Sequence, residues 1–474
     1  MKILETLAVF AACVSFGVGA SAAAAELQLP KDLPPYGADK PVPVPKIDKH
    51  TLANGMTVWI VADAEGAPKA NFVLAVRGGS AHDPRAMNGL SSILAGTIDE
   101  GTKSRSAIQI AQELQSLGAS LGAGAGEEGT TVSASGLSSN SSKILQLLAD
   151  VARNPTFPDA EVNLAKMNAL QALKAAKAQP GYQAEVEFAK AVFGDHPYGT
   201  GEQTDASIMS VTPQSLRELH AKRFRPDRAL LVVSGRVDAA EILRVTKEAF
   251  GDWKAEGTPE PEIPAAPTAV PRKLVFVPRA NSVQSSIRLG RPAFAARDPQ
   301  LYKADVAESI LGGGFGGRLF QNLREDKGYT YGAYASFGAD RNGGSFGAEA
   351  DVRNEVTGAA LTEFNKELQR MIDEQVGAAE LERSKRYLAG VYLYRNQLRG
   401  AVAGSLASLW IDGRAPEDLG QYTERVKAVT AADVQDVARR YFNPQDQSLV
   451  VVGDPAVAGQ LEAFGEFQSV RAQP

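Results

Sequence analysis

At 474 residues the chain exceeds what one hydrophobic core organises and has room for two or more domains. Its 44% hydrophobic and 22% charged residues are those of a folded globular protein, which sets aside a disordered or fibrous chain. A net charge of -5 supplies no basic field to draw nucleic acid or an anionic lipid surface, so neither is expected as a partner.

Lys2, the mostly apolar run from Leu7 to Ala20 and the small residues Ser21 to Ala25 ahead of Glu26 read as a secretory signal peptide over residues 1–25. The run is short and rich in Gly and Ala, with no basic stop-transfer cluster behind it, so no integral membrane anchor is expected. Export follows, to the periplasm if the source is bacterial. Cys13 falls inside the signal and is the single cysteine, which leaves the mature chain without a disulfide, a thiolate metal site or a cysteine nucleophile. Residues 26–46 then form an arm spaced by Pro30, Pro34, Pro35, Pro41, Pro43 and Pro45, a composition that favours extended polyproline geometry.

Residues 47–255 read as a first α+β domain. Asn54-Gly55 signals a tight turn into a strand from Thr57 to Val61, and Asn71 to Arg77 forms the next strand. Ser106 can cap a helix with the stripe Ile110, Ala111, Leu114 and Leu117, stopped by Gly118. Helical spacing returns around Ser141 to Arg153, Asp159 to Lys177 and Tyr182 to Phe193. Strand runs grouped with helix runs imply a mostly antiparallel sheet packed against helices. A second proline-rich stretch, residues 256–272 with Pro259, Pro261, Pro264, Pro267 and Pro271, reads as the linker to a second α+β domain over residues 273–474.

The two halves repeat each other. Val211-Thr212 opens a helical pattern through Leu216, Leu219 and Phe224, then Pro226, then Leu231-Val232-Val233 ending at Gly235. Val429-Thr430 opens the same pattern through Val434, Val437 and Phe442, then Pro444, then Leu449-Val450-Val451 ending at Gly453, a constant offset of 218 residues. Punctuation held in register over a helix, a turn and a strand points to duplication of one unit.

Leu52 to Val58, Gly79-Ser80, Gly89-Leu90, Gly101-Thr102-Lys103-Ser104, Leu117-Gly118-Ala119 and Asn154-Pro155-Thr156-Phe157 together resemble the insulinase/pitrilysin zinc peptidases. The likeness runs over nearly all of the mature chain and implies two duplicated halves forming half of a clamshell. Catalytic members carry a helix with His-x-x-Glu-His, where two His at i and i+4 grip zinc and the Glu serves as general base. Here Ser92 stands at the first His, Ala95 at the Glu and Gly96 at the second His. The later helix after Phe157-Pro158 places Ala172 at the third ligand and Ala165 at a supporting Glu. None of these side chains can hold zinc, and the four His, at 50, 82, 196 and 220, show no metal-ligand spacing. No metal or cofactor is expected in this chain, and His196, in His196-Pro197-Tyr198-Gly199, is expected to be a loop residue. Ser91-Ser92 lacks the Gly-x-Ser-x-Gly elbow of a serine hydrolase.

In the second half, Gly312, Gly313, Gly314, Phe315, Gly316 and Gly317 resemble the family's glycine-rich turn, implied to bind substrate, and the Gly-Lys-Ser/Thr ending of a phosphate loop is missing. Arg324 and Tyr331, seven residues apart, resemble the Arg and Tyr pair that catalytic assemblies bring to the zinc site from the opposite half. A guanidinium and a phenol are both donors suited to a carbonyl oxygen becoming an oxyanion. The resemblance therefore implies a non-catalytic subunit of a heterodimeric zinc endopeptidase. A homologous partner subunit would hold the zinc, Arg324 and Tyr331 would act in trans, and unstructured peptides would dock by strand addition. A structural or peptide-binding scaffold, including a homodimer, is the alternative.

Overall fold

The structure is a computed structural model that describes residues 45–471. The expected signal peptide, and the arm apart from Pro45 and Lys46, lie outside the described residues. Two six-stranded sheets carry the fold. In the first, β1 (Asp48–Thr51), β2 (Thr57–Ala62), β3 (Lys69–Arg77), β4 (Ser120–Ala125), β5 (Gly129–Leu137) and β6 (Ala229–Gly235) lie in the order β1-β2-β6-β3-β5-β4. In the second, β7 (Leu274–Pro278), β8 (Gln284–Ala293), β9 (Thr330–Asp340), β10 (Gly343–Arg353), β11 (Ser448–Gly453) and β12 (Gln468–Ser469) follow β12-β7-β11-β8-β10-β9. β2 pairs parallel with β6 as β7 does with β11, and the inner partners of both are antiparallel. Each half is thus a mostly antiparallel sheet, with a parallel pairing at the same place in both. The halves differ at one edge, where β1 is a hairpin partner of β2 and β12 arrives from the C-terminal end to run parallel to β7.

The duplicated segment keeps its register in three dimensions. The helices Pro213–Arg223 and Ala431–Tyr441 are 218 residues apart at both ends, and each begins with a capping box, Thr212 with Ser215 and Thr430 with Asp433. These boxes satisfy backbone donors that the first helical turn leaves free. β6 and β11 are buried along their whole length. Such continuous burial requires cover on both faces of the sheet, and it explains why these strands read as unbroken apolar runs.

The second cover comes from the opposite half. The helix Pro180–Phe193 lies over β8 and β11 of the second sheet, while the helix Arg399–Ile411 lies over β3 and β6 of the first. These helices end at Phe193 and Ile411, again 218 residues apart. Ala184, Phe188 and Val192 pack with Val275, Val450 and Val452; Val402 and Leu406 pack with Trp59, Val73 and Val232. Each copy of the unit therefore lends the same helix to its twin. Separating the halves would expose two apolar layers at once.

The proline-rich linker is fastened down rather than free. Glu260 is 7% exposed and forms a two-pronged ion pair with the fully buried Arg223, at 2.9 and 3.0 Å. Arg223 also donates to Ser91 Oγ at 2.7 Å and to the Gly79 carbonyl at 3.1 Å. Among the described residues no helix is long and apolar enough to cross a membrane.

Candidate functional site

The helix Leu90–Thr97 carries Ser92, Ala95 and Gly96, where the sequence resemblance puts a zinc motif. Asp83 fixes its start by accepting hydrogen bonds from the amides of Gly89 (3.1 Å) and Ser91 (3.1 Å) and from the Ser91 hydroxyl. Burial pushes the Asp83 carboxyl above the usual range, against these hydrogen bonds. Leu90, Ile93, Leu94, Ala95 and Thr97 turn inward, leaving Ser92 and Gly96 together on the exposed face, one turn apart. Ala172 is exposed on the helix Asp159–Lys177, which packs against this helix. A Cβ added at Gly96 would meet nothing within 4 Å, so no larger neighbour has grown into the space. A hydroxyl, two methyls and a hydrogen offer no ligand set, and among the described residues no three His, Cys, Asp or Glu side chains are grouped to hold a metal. Zinc does not fit here.

β4, the edge of the first sheet, lies beside this helix. Gly126 donates to the Gly129 carbonyl at 2.8 Å, which sets the phase of the hairpin. By alternation Leu121, Ala123 and Ala125 direct their backbone groups outward, away from β5. β4 is a strand edge open to pairing.

The equivalent edge of the second sheet, β9, is sealed. The Ala335 amide donates to the Gly312 carbonyl at 3.1 Å, and the Phe337 amide donates to the Glu308 carboxyl. Burial, with Asp305 nearby, pushes Glu308 up to about 8. The Gly312–Gly317 turn needs its glycines for close approach, since a Cβ on Gly317 would lie 2.8 Å from the Gly312 Cα. Phe315 at its tip is 71% exposed and meets Phe320 edge-on at 5.0 Å between centroids.

Arg324 lies in a π-helical turn, Gln321–Asp326, with its guanidinium 4.8 Å from the Phe320 ring centroid and 3.5 Å from Glu325. The glycine-rich turn and Arg324 are thus joined through one aromatic ring. Tyr331 follows Thr330 at the start of β9 and is 85% exposed, beside a cavity of about 310 Å³ that Arg288, Tyr334 and Glu349 also line. It is a strand aromatic that stands in solvent instead of the core. His196 belongs to a turn: its Nδ1 accepts from the Tyr198 amide at 3.3 Å and its Nε2 lies 3.0 Å from the Pro264 carbonyl of the linker.

Residues 58–201 match the profile of the insulinase family, peptidase M16, and residues 210–388 match that of the peptidase M16 inactive domain. The chain belongs to peptidase family M16. This M16 chain is 24% identical over 416 residues to an uncharacterized zinc protease of Streptomyces coelicolor, spanning 86% of this chain and 89% of that protein. It is 27% identical to one from Rickettsia bellii, over 84% of this chain and 96% of the other. Its fold matches the crystal structure of a peptidase M16 inactive domain from Pseudomonas fluorescens, with a TM-score of 0.79 at 24% identity over 86% and 98% of the two chains. A protease from Helicobacter pylori gives 0.80 at 18% identity, over 86% and 100%.

Two features of the M16 chain had no signal in the sequence. Glu260, one acidic residue in a proline-rich stretch, gives no hint that it enters the first half and meets Arg223 beside Ser91. The closure of β9 by Glu308 depends on a contact between a helix and a strand that spacing does not reveal.

Proposed function

We propose that this M16 chain is the non-catalytic subunit of a heterodimeric zinc endopeptidase, exported from the cell, whose homologous partner holds the zinc. The observation that carries the reading is the pairing, in one chain, of a helix with no zinc-binding side chain and, on the other half, half-buried Arg324 with exposed Tyr331. The chain's own residues would then do two things. Arg324 and Tyr331 donate hydrogen bonds to a peptide carbonyl as it becomes an oxyanion in the partner's site. The open edge of β4 pairs with the extended backbone of an unstructured peptide, which gives affinity with little dependence on sequence.

The test is reconstitution with a zinc-bearing M16 partner and steady-state cleavage of a fluorogenic peptide. Tyr331→Phe removes one hydroxyl from a side chain in solvent, so folding and assembly should persist on gel filtration while turnover falls by about 100-fold or more. Arg324→Ala should raise the Michaelis constant as well, if the cation also holds the ground-state carbonyl. Wild-type turnover from both variants would reduce the chain to a scaffold.

A further inference from the structure

The two copies of the unit meet at their equivalent hairpin turns. Residues 126–128 join β4 to β5, residues 341–342 join β9 to β10, and the helix Arg399–Ile411 ends between them. The fit is tight: a Cβ on Gly129 would come within 2.4 Å of the Ile411 side chain. Into this seam the first half sends Glu128, which is 6% exposed. Its Oε1 accepts from the Tyr198 hydroxyl and from Asn342 Nδ2 at 2.9 Å, and the Asn342 amide donates to Tyr198 at 3.4 Å. Its Oε2 is buried with no hydrogen-bond partner among the described residues.

The charged surroundings come from both halves. Asp340 and Arg341 face Glu128 from the β9–β10 turn, and Asp412 faces it from the end of the helix Arg399–Ile411. Arg414 and Arg341 act on Asp412, and Arg297 lies beside Gly413. On the first half's side stand Tyr198, His196 against its ring, and the exposed Glu127, which Glu185 also faces. A carboxylate at Glu128 would thus sit in a closed space with one oxygen unpaired and two further carboxyls nearby. A neutral carboxyl removes the buried charge and the repulsion, and leaves the less costly uncharged group in the closed space.

We propose that this seam is a proton-operated latch between the two halves: uncharged Glu128 holds the twin hairpin turns together, and its ionisation loosens them. Burial first, then Asp340 and Asp412 against the pull of Asn342 and Arg341, pushes the Glu128 carboxyl up to about 7. Burial and Asp340 likewise push Asp412 up to about 6. The closed seam holds these protons more tightly than an opened one. Its stabilisation is therefore complete below the ordinary glutamate value of 4.5 and is lost as the pH rises to about 7.

Hydrogen exchange on the full chain tests this at two reporters, the Gly78 amide, which donates to the Glu128 carbonyl, and the Asn342 amide. After correction for intrinsic chemical exchange, opening at both should rise by about tenfold or more between pH 5 and pH 8. Amides in β7 and β11, remote from the seam, should not follow. Glu128→Gln keeps the acceptor and cannot ionise, so the rise in its opening across that range should shrink to the smaller part that Asp412 contributes. Asp412→Asn removes a facing negative charge and should move the midpoint to lower pH, which keeps the proposal testable if Glu128→Gln does not fold. A wild-type seam without pH dependence, a Glu128→Gln profile that tracks wild type, or an unmoved midpoint in Asp412→Asn would each overturn it.

Discussion

The twin edge strands β4 and β9 occupy the same place in two copies of one unit and are treated in opposite ways. β4 leaves the backbone groups of Leu121, Ala123 and Ala125 unpaired beside the helix that presents Ser92 and Gly96. β9 is closed by Glu308 and Gly312, and beyond its sealed stretch it presents Tyr331 to solvent. Exposed edges invite pairing with other chains, and proteins ordinarily cover or blunt them. The asymmetry teaches that duplication preserved the scaffold while the two copies diverged at their edges. The first keeps a surface that can take up a strand, and the second keeps side chains that can reach out of the molecule.

The same divergence shows at one matched pair of buried positions, and breaking it should have the largest effect. Arg223 and Tyr441 end the repeated helix at the same register. Tyr441 packs edge-on against Phe294 and Phe337, an aromatic contact that needs nothing from outside its half. Arg223 depends on the linker, because among the described residues its ion-pair partner is Glu260. Glu260→Ala should destabilise the chain by about 3–5 kcal/mol in urea unfolding, since it strands a buried cation. Replacing both partners, Arg223→Met with Glu260→Leu, should restore much of that loss, because an apolar pair of similar volume carries no desolvation cost. A small effect of Glu260→Ala would show that water reaches Arg223 and that the linker is only a tether.

These contrasts also mark how far the sequence could be read. The helices Ser141–Arg153 and Asp159–Lys177 fall where the spacing placed them, and Ser106 caps its helix with Gly118 closing it in the left-handed conformation. Caps, stops and apolar periodicity act within a few residues, so they survive in the linear pattern. That Ser92 and Gly96 share a face was legible for the same reason, as i and i+4 on one helix necessarily lie together. The reciprocal helices were not. Pro180–Phe193 shows only an amphipathic stripe, which says that it must cover something and not that it covers its twin's sheet. Glu260, Glu308 and Glu128 escaped notice because their meaning lies in partners from distant segments, and a lone carboxyl in a loop or helix looks solvated.

A second test probes whether the open edge is used. Ala123→Pro removes an outward N–H without taking a bond from β5, and proline is tolerated on edge strands. Stability should change little, while binding of a labelled unstructured peptide, read by fluorescence anisotropy on the assembled complex, should weaken by about tenfold, the cost of roughly one lost backbone hydrogen bond. Unchanged binding would mean that β4 does not receive the peptide.

The smallest expected difference lies in the twin capping boxes, where the two copies can be compared almost atom for atom. In the first, the Thr212 hydroxyl accepts from the Ser215 amide at 3.1 Å and Ser215 returns the bond to the Thr212 amide at 3.0 Å. In the second, Asp433 replaces that serine. Its carboxylate accepts from the Thr430 amide at 2.9 Å and hydroxyl at 2.7 Å, and it pairs with Lys303 at 2.7 Å. Burial alone would raise the Asp433 carboxyl, but the bonds from Lys303 and Thr430 outweigh it and hold the group at about 2. Thr212→Ala should cost about 1 kcal/mol at any pH from 3 to 8, the usual worth of an N-cap. Thr430→Ala should cost somewhat more at neutral pH, because it also takes a donor from a charged acceptor. A depressed carboxyl stabilises the fold above its ordinary value of 3.8, and that stabilisation is lost as the pH falls through about 2. The excess cost of Thr430→Ala over Thr212→Ala should therefore be smaller at pH 3 than at pH 7 and vanish only below about pH 2, as urea unfolding at pH 7 and pH 3 would show. Equal costs at both values would mean that the charge at Asp433 adds nothing to the cap.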